Sequence, residues 1–105
     1  MGVSEQFLYQ FGPGPRPDLA TNPDAWTADD EQVGTAHFAY LARATEDGIV
    51  ILAGRCQDGL GPAIVIFEAD DEEAAVHFMR QDPFIAEGLF TGTIHAFNAA
   101  LMRNR

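Results

Sequence analysis

The sequence has no lysine and a single cysteine, and each shortage excludes a class of chemistry. All six cationic side chains are arginines, so Schiff-base catalysis and a phosphate-binding P-loop, which both need lysine, are excluded. Cys56 has no partner for an internal disulfide and no companions for a zinc site built from cysteines. One unpaired cysteine is typical of a reduced, intracellular setting.

Positive charge and long apolar runs are also scarce. The 105 residues carry 16 acidic side chains against six basic ones, and the formal net charge is -10. A surface this acidic repels phosphate backbones and anionic lipids, so we expect neither nucleic-acid nor membrane partners. The opening MGVSEQFLYQFG lacks the basic segment and long apolar run of a signal peptide, and no run reaches membrane-spanning length. We expect a cytoplasmic protein.

The composition and the element order predict one folded domain. Hydrophobic residues make up 47% of the chain, which is typical of a globular protein, here a single domain over residues 1–105. Aromatic and apolar runs bounded by glycines and turn residues predict strands at 5–11, 49–56, 63–69 and 89–97. Apolar periodicity and caps predict one helix from Thr27 to about Asp47 and a second from Asp70 or Asp71 to about Gln81, and the prolines predict a loop insertion at 12–26. Long loops of this kind serve either as lids or binding loops or as surface insertions, and both interpretations are open.

The order βαββαβ predicts a ferredoxin-like α+β fold, in which two helices cover one face of a four-stranded antiparallel sheet. Residues 49–53 and 63–67 are apolar at successive positions, which indicates strands covered on both faces. Because the two helices cover only one face, we expect a homodimer joined through sheet faces. A helical tail over the second face is the alternative, although few residues follow the last strand.

A histidine and an aspartate fall at inward positions of the two helices. The first helix has the apolar spacing of one buried side (Val33, Ala36, His37, Tyr40, Leu41, Ala44). The stripe of the second helix (Ala74, Ala75, Phe78, Met79) projects onward to Asp82. His37 is either a general acid/base, since histidine exchanges protons near neutral pH, or a core histidine bonded to a carbonyl. Asp82 either orients His37 or simply caps the segment that begins at Pro83, and both roles can coexist.

The chain resembles the YCII-related family, within the dimeric α/β barrel group. The resemblance is carried by HFAYL at 37–41, DGIVILAG at 47–54, EEAAVHFMRQDPFIAEGLF at 72–90 and TIHAF at 93–97, and it extends from about residue 33 to the end. The proline-rich insertion departs from the shortest members, and Arg55 stands where many relatives carry proline. The resemblance implies a ferredoxin-like fold, a homodimer and a His37–Asp82 active site; one branch resembles dehydrochlorinases that act on chlorinated hydroxyquinols.

Other side chains are candidates for binding a substrate, each with an ordinary structural alternative. The Tyr40 hydroxyl binds substrate or is a core hydroxyl bonded within the protein. Arg55, at a strand end, binds an anionic or enolate substrate or forms a surface ion pair, and Arg16 has the same two interpretations. Phe84, with Phe38 and Trp26, is available as an apolar wall.

We expect no cofactor and no metal. His37, His95 and Asp82 are acceptable metal ligands by type, but no local spacing supports a metal site. His77 is interpreted as an exposed partner of Glu73, and nothing near Cys56 in the sequence activates it as a nucleophile. The first hypothesis is a cofactor-independent enzyme that eliminates or isomerises an aromatic or enolisable small molecule. The alternatives are a non-catalytic dimeric module that binds a metabolite or partner and, with less support, a monooxygenase-like relative.

Overall fold

The structure, a computed structural model, describes residues 5–103. The chain forms the strands β1 (Glu5–Pro13), β2 (Val50–Arg55), β3 (Ala63–Ala69) and β4 (Phe90–Phe97), and the helices α1 (Ala28–Glu46), α2 (Glu72–Arg80) and α3 (Pro83–Ala86). The sheet is antiparallel with the strand order β2-β3-β1-β4, so β1 and β3 are central. The ferredoxin-like α+β fold expected from the sequence is confirmed. No helix of the described residues is both long enough and apolar enough to cross a membrane.

Local signals in the sequence fix the ends of the two long helices. The Thr27 side chain accepts from the backbone N–H of Asp30, and the Asp30 carboxylate accepts from the backbone N–H of Thr27, which forms a capping box at the start of α1. Gly48, with φ of +82°, follows the end of α1, as expected for a helix stop. Asp71, rather than Asp70, caps α2 by accepting from the backbone N–H of Ala74.

The core lies between the helices and one face of the sheet. It contains alternate residues of the strands together with one side of each long helix (Phe7, Tyr9, Val50, Val65, Phe67, Leu41, Ala44, Ala75, Met79). The prediction that Ala36 and Ala74 belong to the buried sides of the two helices is wrong, because both residues are exposed.

The helices of residues 5–103 pack on the core face and leave the opposite face of the sheet without a helix. The strand register places Leu52, Ile66, Leu8 and His95 in one row across the four strands. Three of these four side chains are aliphatic, and Leu52 is exposed. We refer to the surface around this row as the outer sheet face.

The segment between β1 and α1 is more ordered than a simple loop. Strand β1 runs two residues beyond the expected end, to Pro13, because Gly12 and Pro13 still pair with β4. Two short 3-10 turns follow, at Pro17–Ala20 and Pro23–Ala25. We call residues 14–26 the strap.

Candidate active site

His37 and Asp82 lie within hydrogen-bonding distance although 45 residues separate them in the sequence. His37 is in the third turn of α1, and Asp82 stands between α2 and α3. The distance from His37 Nδ1 to Asp82 Oδ1 is 2.7 Å. The Asp82 side chain is 0% exposed and the His37 side chain 17%. The arrangement therefore joins a fully buried carboxyl group to an imidazole that reaches the surface.

Three donors surround the Asp82 carboxyl group. Oδ1 accepts from His37 Nδ1 and, at 3.0 Å, from the backbone N–H of Phe84, so Asp82 is also the N-cap of α3. Oδ2 accepts from the Tyr9 hydroxyl at 2.7 Å. Oδ1 thus both caps α3 and contacts His37 Nδ1, while an orienting role for Asp82 stays a prediction. Three donors, one of them a buried hydroxyl, satisfy a carboxylate that has no access to water.

Tyr9 is the contact that the sequence did not reveal. Its side chain points from the central strand β1 into the core and is 0% exposed. Burial, and then the nearby Asp82 charge and the hydrogen bond to it, raise the pKa of the Tyr9 phenol far above its ordinary value. The hydroxyl therefore keeps its proton and donates it to Asp82. The only available signal was the alternation of β1, which places Tyr9 on the helix side.

The contacts of Asp82 determine which imidazole nitrogen is free. Because the Tyr9 hydroxyl and the Phe84 N–H both donate to Asp82, we assign this carboxyl group as the acceptor of the His37 contact too, with the proton on Nδ1. No described residue bonds to the other nitrogen, Nε2. No buried side-chain nitrogen or oxygen within residues 5–103 lacks a partner, so Nε2 is not a buried atom and reaches solvent. In the neutral imidazole, Nε2 is a proton acceptor open to a ligand.

Aromatic rings surround the imidazole. The Phe84 ring stacks on the His37 ring with 3.9 Å between centroids and 20° between planes. Phe11 meets the imidazole edge-on at 5.6 Å, and Trp26 lies 5.8 Å from Phe84. Phe90 packs against Phe84 at 5.0 Å. These four half-buried rings form what we call the aromatic wall.

The wall differs from the expected one in its members. Phe84 and Trp26 lie in it, and Phe11 and Phe90 are additional members. Phe38 is not part of it: this side chain is 74% exposed, so its expected role as a wall is wrong. Phe38 lies about 100° around the helix from His37, on the side away from the core.

The strap is held together by a hydrogen bond from Trp26 to Leu19 and is tied to α1 by an ion pair between Arg16 and Asp30. The Trp26 indole N–H donates to the carbonyl of Leu19, which is itself buried. Arg16 donates two hydrogen bonds to Asp30, at 2.6 and 3.0 Å. Hydrogen bonds from Arg16 and then from Thr27 lower the pKa of Asp30 to about 2. Of the two interpretations of Arg16, the structure shows the ion pair.

The remaining candidates lie apart from the pair. The Tyr40 hydroxyl donates to the carbonyl of Phe78 at 2.8 Å, and burial raises the pKa of Tyr40 to about 12. That is the structural alternative, and a role in binding substrate stays a prediction. Arg55 is exposed at the end of edge strand β2, opposite Ala63, and no contact links it to the pair. His95 lies on the outer sheet face, on the other side of the sheet from the core.

Two surface depressions lie away from His37, and the described part of the chain holds no cluster of metal-ligating side chains. One depression of about 520 Å³ follows α2 at Glu72, Glu73, Val76, His77 and Arg80, and one of about 280 Å³ lies by Leu52, Gly54, Arg55, Cys56, Pro62 and Ile64. Neither borders His37. Among residues 5–103 no group of three His, Cys, Asp or Glu side chains could hold a metal ion.

Comparisons with known proteins agree with the fold. The chain is similar in structure to 5-chloro-2-hydroxyhydroquinone dehydrochlorinase from Burkholderia phenoliruptrix, solved in complex with 2,5-dihydroxybenzoquinone. The TM-score is 0.62 at 20% sequence identity, over 89% of this chain and 93% of that one. No curated protein sequence matches the chain. The family model of the YCII-related domain matches residues 18–95. The chain therefore belongs to the YCII-related family.

Proposed function

We propose that the protein is a cofactor-independent enzyme that uses His37 as an acid/base on an aromatic or enolisable small molecule. The observation that carries this proposal is that the two imidazole nitrogens have different surroundings. Nδ1 contacts a buried carboxyl group, while Nε2 reaches solvent beside the aromatic wall. A core histidine has no need of one open nitrogen. A general base needs such a nitrogen, with the other nitrogen oriented by a fixed partner.

The proposed chemistry is elimination or isomerisation. Nε2 takes a proton from a carbon or hydroxyl of the substrate, and Asp82 stabilises the imidazolium that forms. In an elimination, the electron pair left behind forms a double bond and expels a leaving group. In an isomerisation, His37 returns the proton to another atom of the same molecule. Neither reaction changes the oxidation state of the protein. Proton transfer of this kind accelerates a reaction about 10²- to 10⁴-fold.

Two features support a planar, largely apolar substrate. The aromatic wall offers ring faces and edges next to the imidazole, which suits an aromatic or quinonoid ring. The structurally similar dehydrochlorinase binds such a ring, 2,5-dihydroxybenzoquinone. Arg55 pairs with Ala63 of β3 and so lies at the same end of the sheet as Phe11 of β1. Two strand spacings, about 10 Å, separate Arg55 from Phe11. We retain Arg55 as the candidate for binding an anionic or enolate oxygen.

We also propose a homodimer joined through the outer sheet face, in the cytoplasm. The aliphatic row Leu52, Ile66 and Leu8 crosses three strands on the face that no helix of the described residues covers, and a second copy supplies a matching surface. The single exposed cysteine, Cys56, fits a reducing compartment.

The proposal is tested by finding a substrate and then removing His37. A thermal-shift screen of phenols, hydroxyquinols, quinones and enolisable lactones identifies ligands, which are then assayed for turnover. We expect His37→Gln to remove turnover and His77→Gln, at an exposed histidine of α2, to leave it unchanged. Asp82→Asn keeps the cap but loses the charge, and we expect it to change the pH dependence of the rate. Full turnover in His37→Gln would end the enzyme proposal.

A dimeric binding module without catalysis is the second candidate. It is favoured by the absence of either described depression at His37. In that case ligands bind with equal affinity to native protein and to His37→Gln, and no compound in the screen is converted by either.

A further inference from the structure

The Tyr9 side chain is fully buried, and its ring would pack in the core without the hydroxyl group. The ring packs against the rings of Phe11, Phe67 and Phe78 at 5.4 to 6.3 Å, an environment that would hold phenylalanine equally well. A buried hydroxyl is destabilising unless it is hydrogen-bonded. Its partner is Oδ2 of Asp82, at 2.7 Å. The hydroxyl is therefore accounted for by Asp82 and not by core packing.

Oδ2 has a donor only because of Tyr9. The other two donors, His37 Nδ1 and the Phe84 backbone N–H, both bond to Oδ1. Without the phenol, one oxygen of a fully buried carboxylate would have no hydrogen bond. Such an oxygen recovers a bond by taking up a proton or by turning toward another donor. Either change alters the acceptor that faces Nδ1.

We infer that Tyr9 is the third member of the site, a positioning residue whose hydroxyl holds the Asp82 carboxyl group directed at Nδ1 of His37. The inference rests on the acid/base function proposed for His37 and extends it from a pair to a Tyr9–Asp82–His37 chain. Tyr9 does not reach Nε2 or the ligand. It acts through Asp82, by holding the imidazole in the form with the proton on Nδ1 and the free lone pair on Nε2.

The Tyr9 phenol sets the direction of the hydrogen bonds that join Tyr9, Asp82 and His37. Burial and the nearby charge keep Tyr9 protonated, so the hydroxyl donates and Oδ2 accepts. Oδ1 then accepts from Nδ1. Both bonds are donated to the Asp82 carboxyl group, which is the acceptor proposed to balance an imidazolium at His37. The Tyr40 hydroxyl is different, because it donates to a backbone carbonyl and ends there.

The test is the tautomer of His37, read by two-bond ¹⁵N–¹H correlation spectra of the whole protein. The signals are assigned by their loss in His37→Gln. We expect a single tautomer, protonated at Nδ1, in the native chain, and a mixture of both tautomers in Tyr9→Phe and in Asp82→Asn. Tyr40→Phe is the matched control, since it removes the only other tyrosine hydroxyl, and it should keep the native spectrum. A single native tautomer in Tyr9→Phe would overturn the inference.

A second variant covers the case in which Tyr9→Phe does not fold. In the Tyr40→Phe background Tyr9 is the only tyrosine, so 3-fluorotyrosine incorporation changes its acidity alone. The more acidic phenol donates more strongly to Oδ2 and withdraws charge from Oδ1. We expect the Nδ1–H resonance of His37 to move upfield. An unmoved Nδ1–H resonance would contradict a coupling of Tyr9 to His37 through Asp82.

Kinetics separate this inference from the proposed function. With a substrate in hand, Tyr9→Phe should lower kcat about tenfold to a hundredfold, the effect of one hydrogen bond to a charged group, with KM within about twofold. A rise in KM with unchanged kcat contradicts a positioning role. If no compound is turned over, yet the tautomer mixes in Tyr9→Phe, the proposed function fails and the role of Tyr9 in positioning the imidazole stands.

Discussion

Replacing two capping aspartates separates a helix cap from a buried network. Asp71 and Asp82 both accept from a backbone N–H at the start of a helix. Asp71 is exposed and holds that one bond, while Asp82 is buried and holds two more. If Asp82 were only a cap, Asp71→Ala and Asp82→Ala would lower the free energy of unfolding equally, each by about 1 kcal/mol.

The structure assigns a larger loss to Asp82→Ala. Besides the cap, the change leaves the Tyr9 hydroxyl in an apolar core with no acceptor, which costs about 1 to 3 kcal/mol. We therefore expect a total of about 2 to 4 kcal/mol for Asp82→Ala. The free energies are measured by urea unfolding, followed through the fluorescence of Trp26, at one protein concentration because a dimer's stability depends on it.

A double variant locates the extra loss at the phenol. Tyr9→Phe in the Asp82→Ala background removes the stranded hydroxyl, so stability should rise again by about 1 to 3 kcal/mol. In the native background the same change removes a bond to a charged group and should lower stability. Equal losses for Asp71→Ala and Asp82→Ala, or no recovery in the double variant, would refute a network centred on Asp82.

Two further perturbations address the strap and the outer sheet face. Because Arg16 lowers the pKa of Asp30 to about 2 from an ordinary 3.8, the stability that Asp30 contributes is full above about pH 4 and is lost as pH falls toward 2. Asp30→Asn should lower the thermal midpoint at pH 7 and flatten its fall between pH 4 and 2; an unchanged slope contradicts this linkage. Ile66→Asp should yield monomers in sedimentation equilibrium, while Leu60→Asp, at an 89% exposed turn position, should not. A native chain that sediments as a monomer would contradict the sheet-face dimer.

The order of elements could be predicted because its signals are local. Cap residues such as Thr27, the stop at Gly48 and the apolar runs of the strands act within a few residues. The proximity of His37 to Asp82 followed from two helical periodicities projected onto one core, together with the family resemblance. The distance of 2.7 Å between their side chains needed the structure.

The rest of the site depends on contacts that periodicity does not encode. Tyr9 lies 73 residues from Asp82, and alternation gives only the face on which its ring lies, not the partner of its hydroxyl. Phe11 and Phe90 join the aromatic wall through pairing at the ends of β1 and β4, where element boundaries are least certain from sequence. Phe38 shows the reverse error, since hydrophobicity alone does not place a helical residue on the buried side.

The central claim is that a small molecule binds at Nε2 of His37 while Nδ1 stays on Asp82. A crystal structure with a ligand from the thermal-shift screen tests it most directly. We expect a polar atom of the ligand within hydrogen-bonding distance of Nε2 and its ring against the aromatic wall. A ligand bound elsewhere, with Nε2 covered by the protein or by the second copy, would contradict the claim.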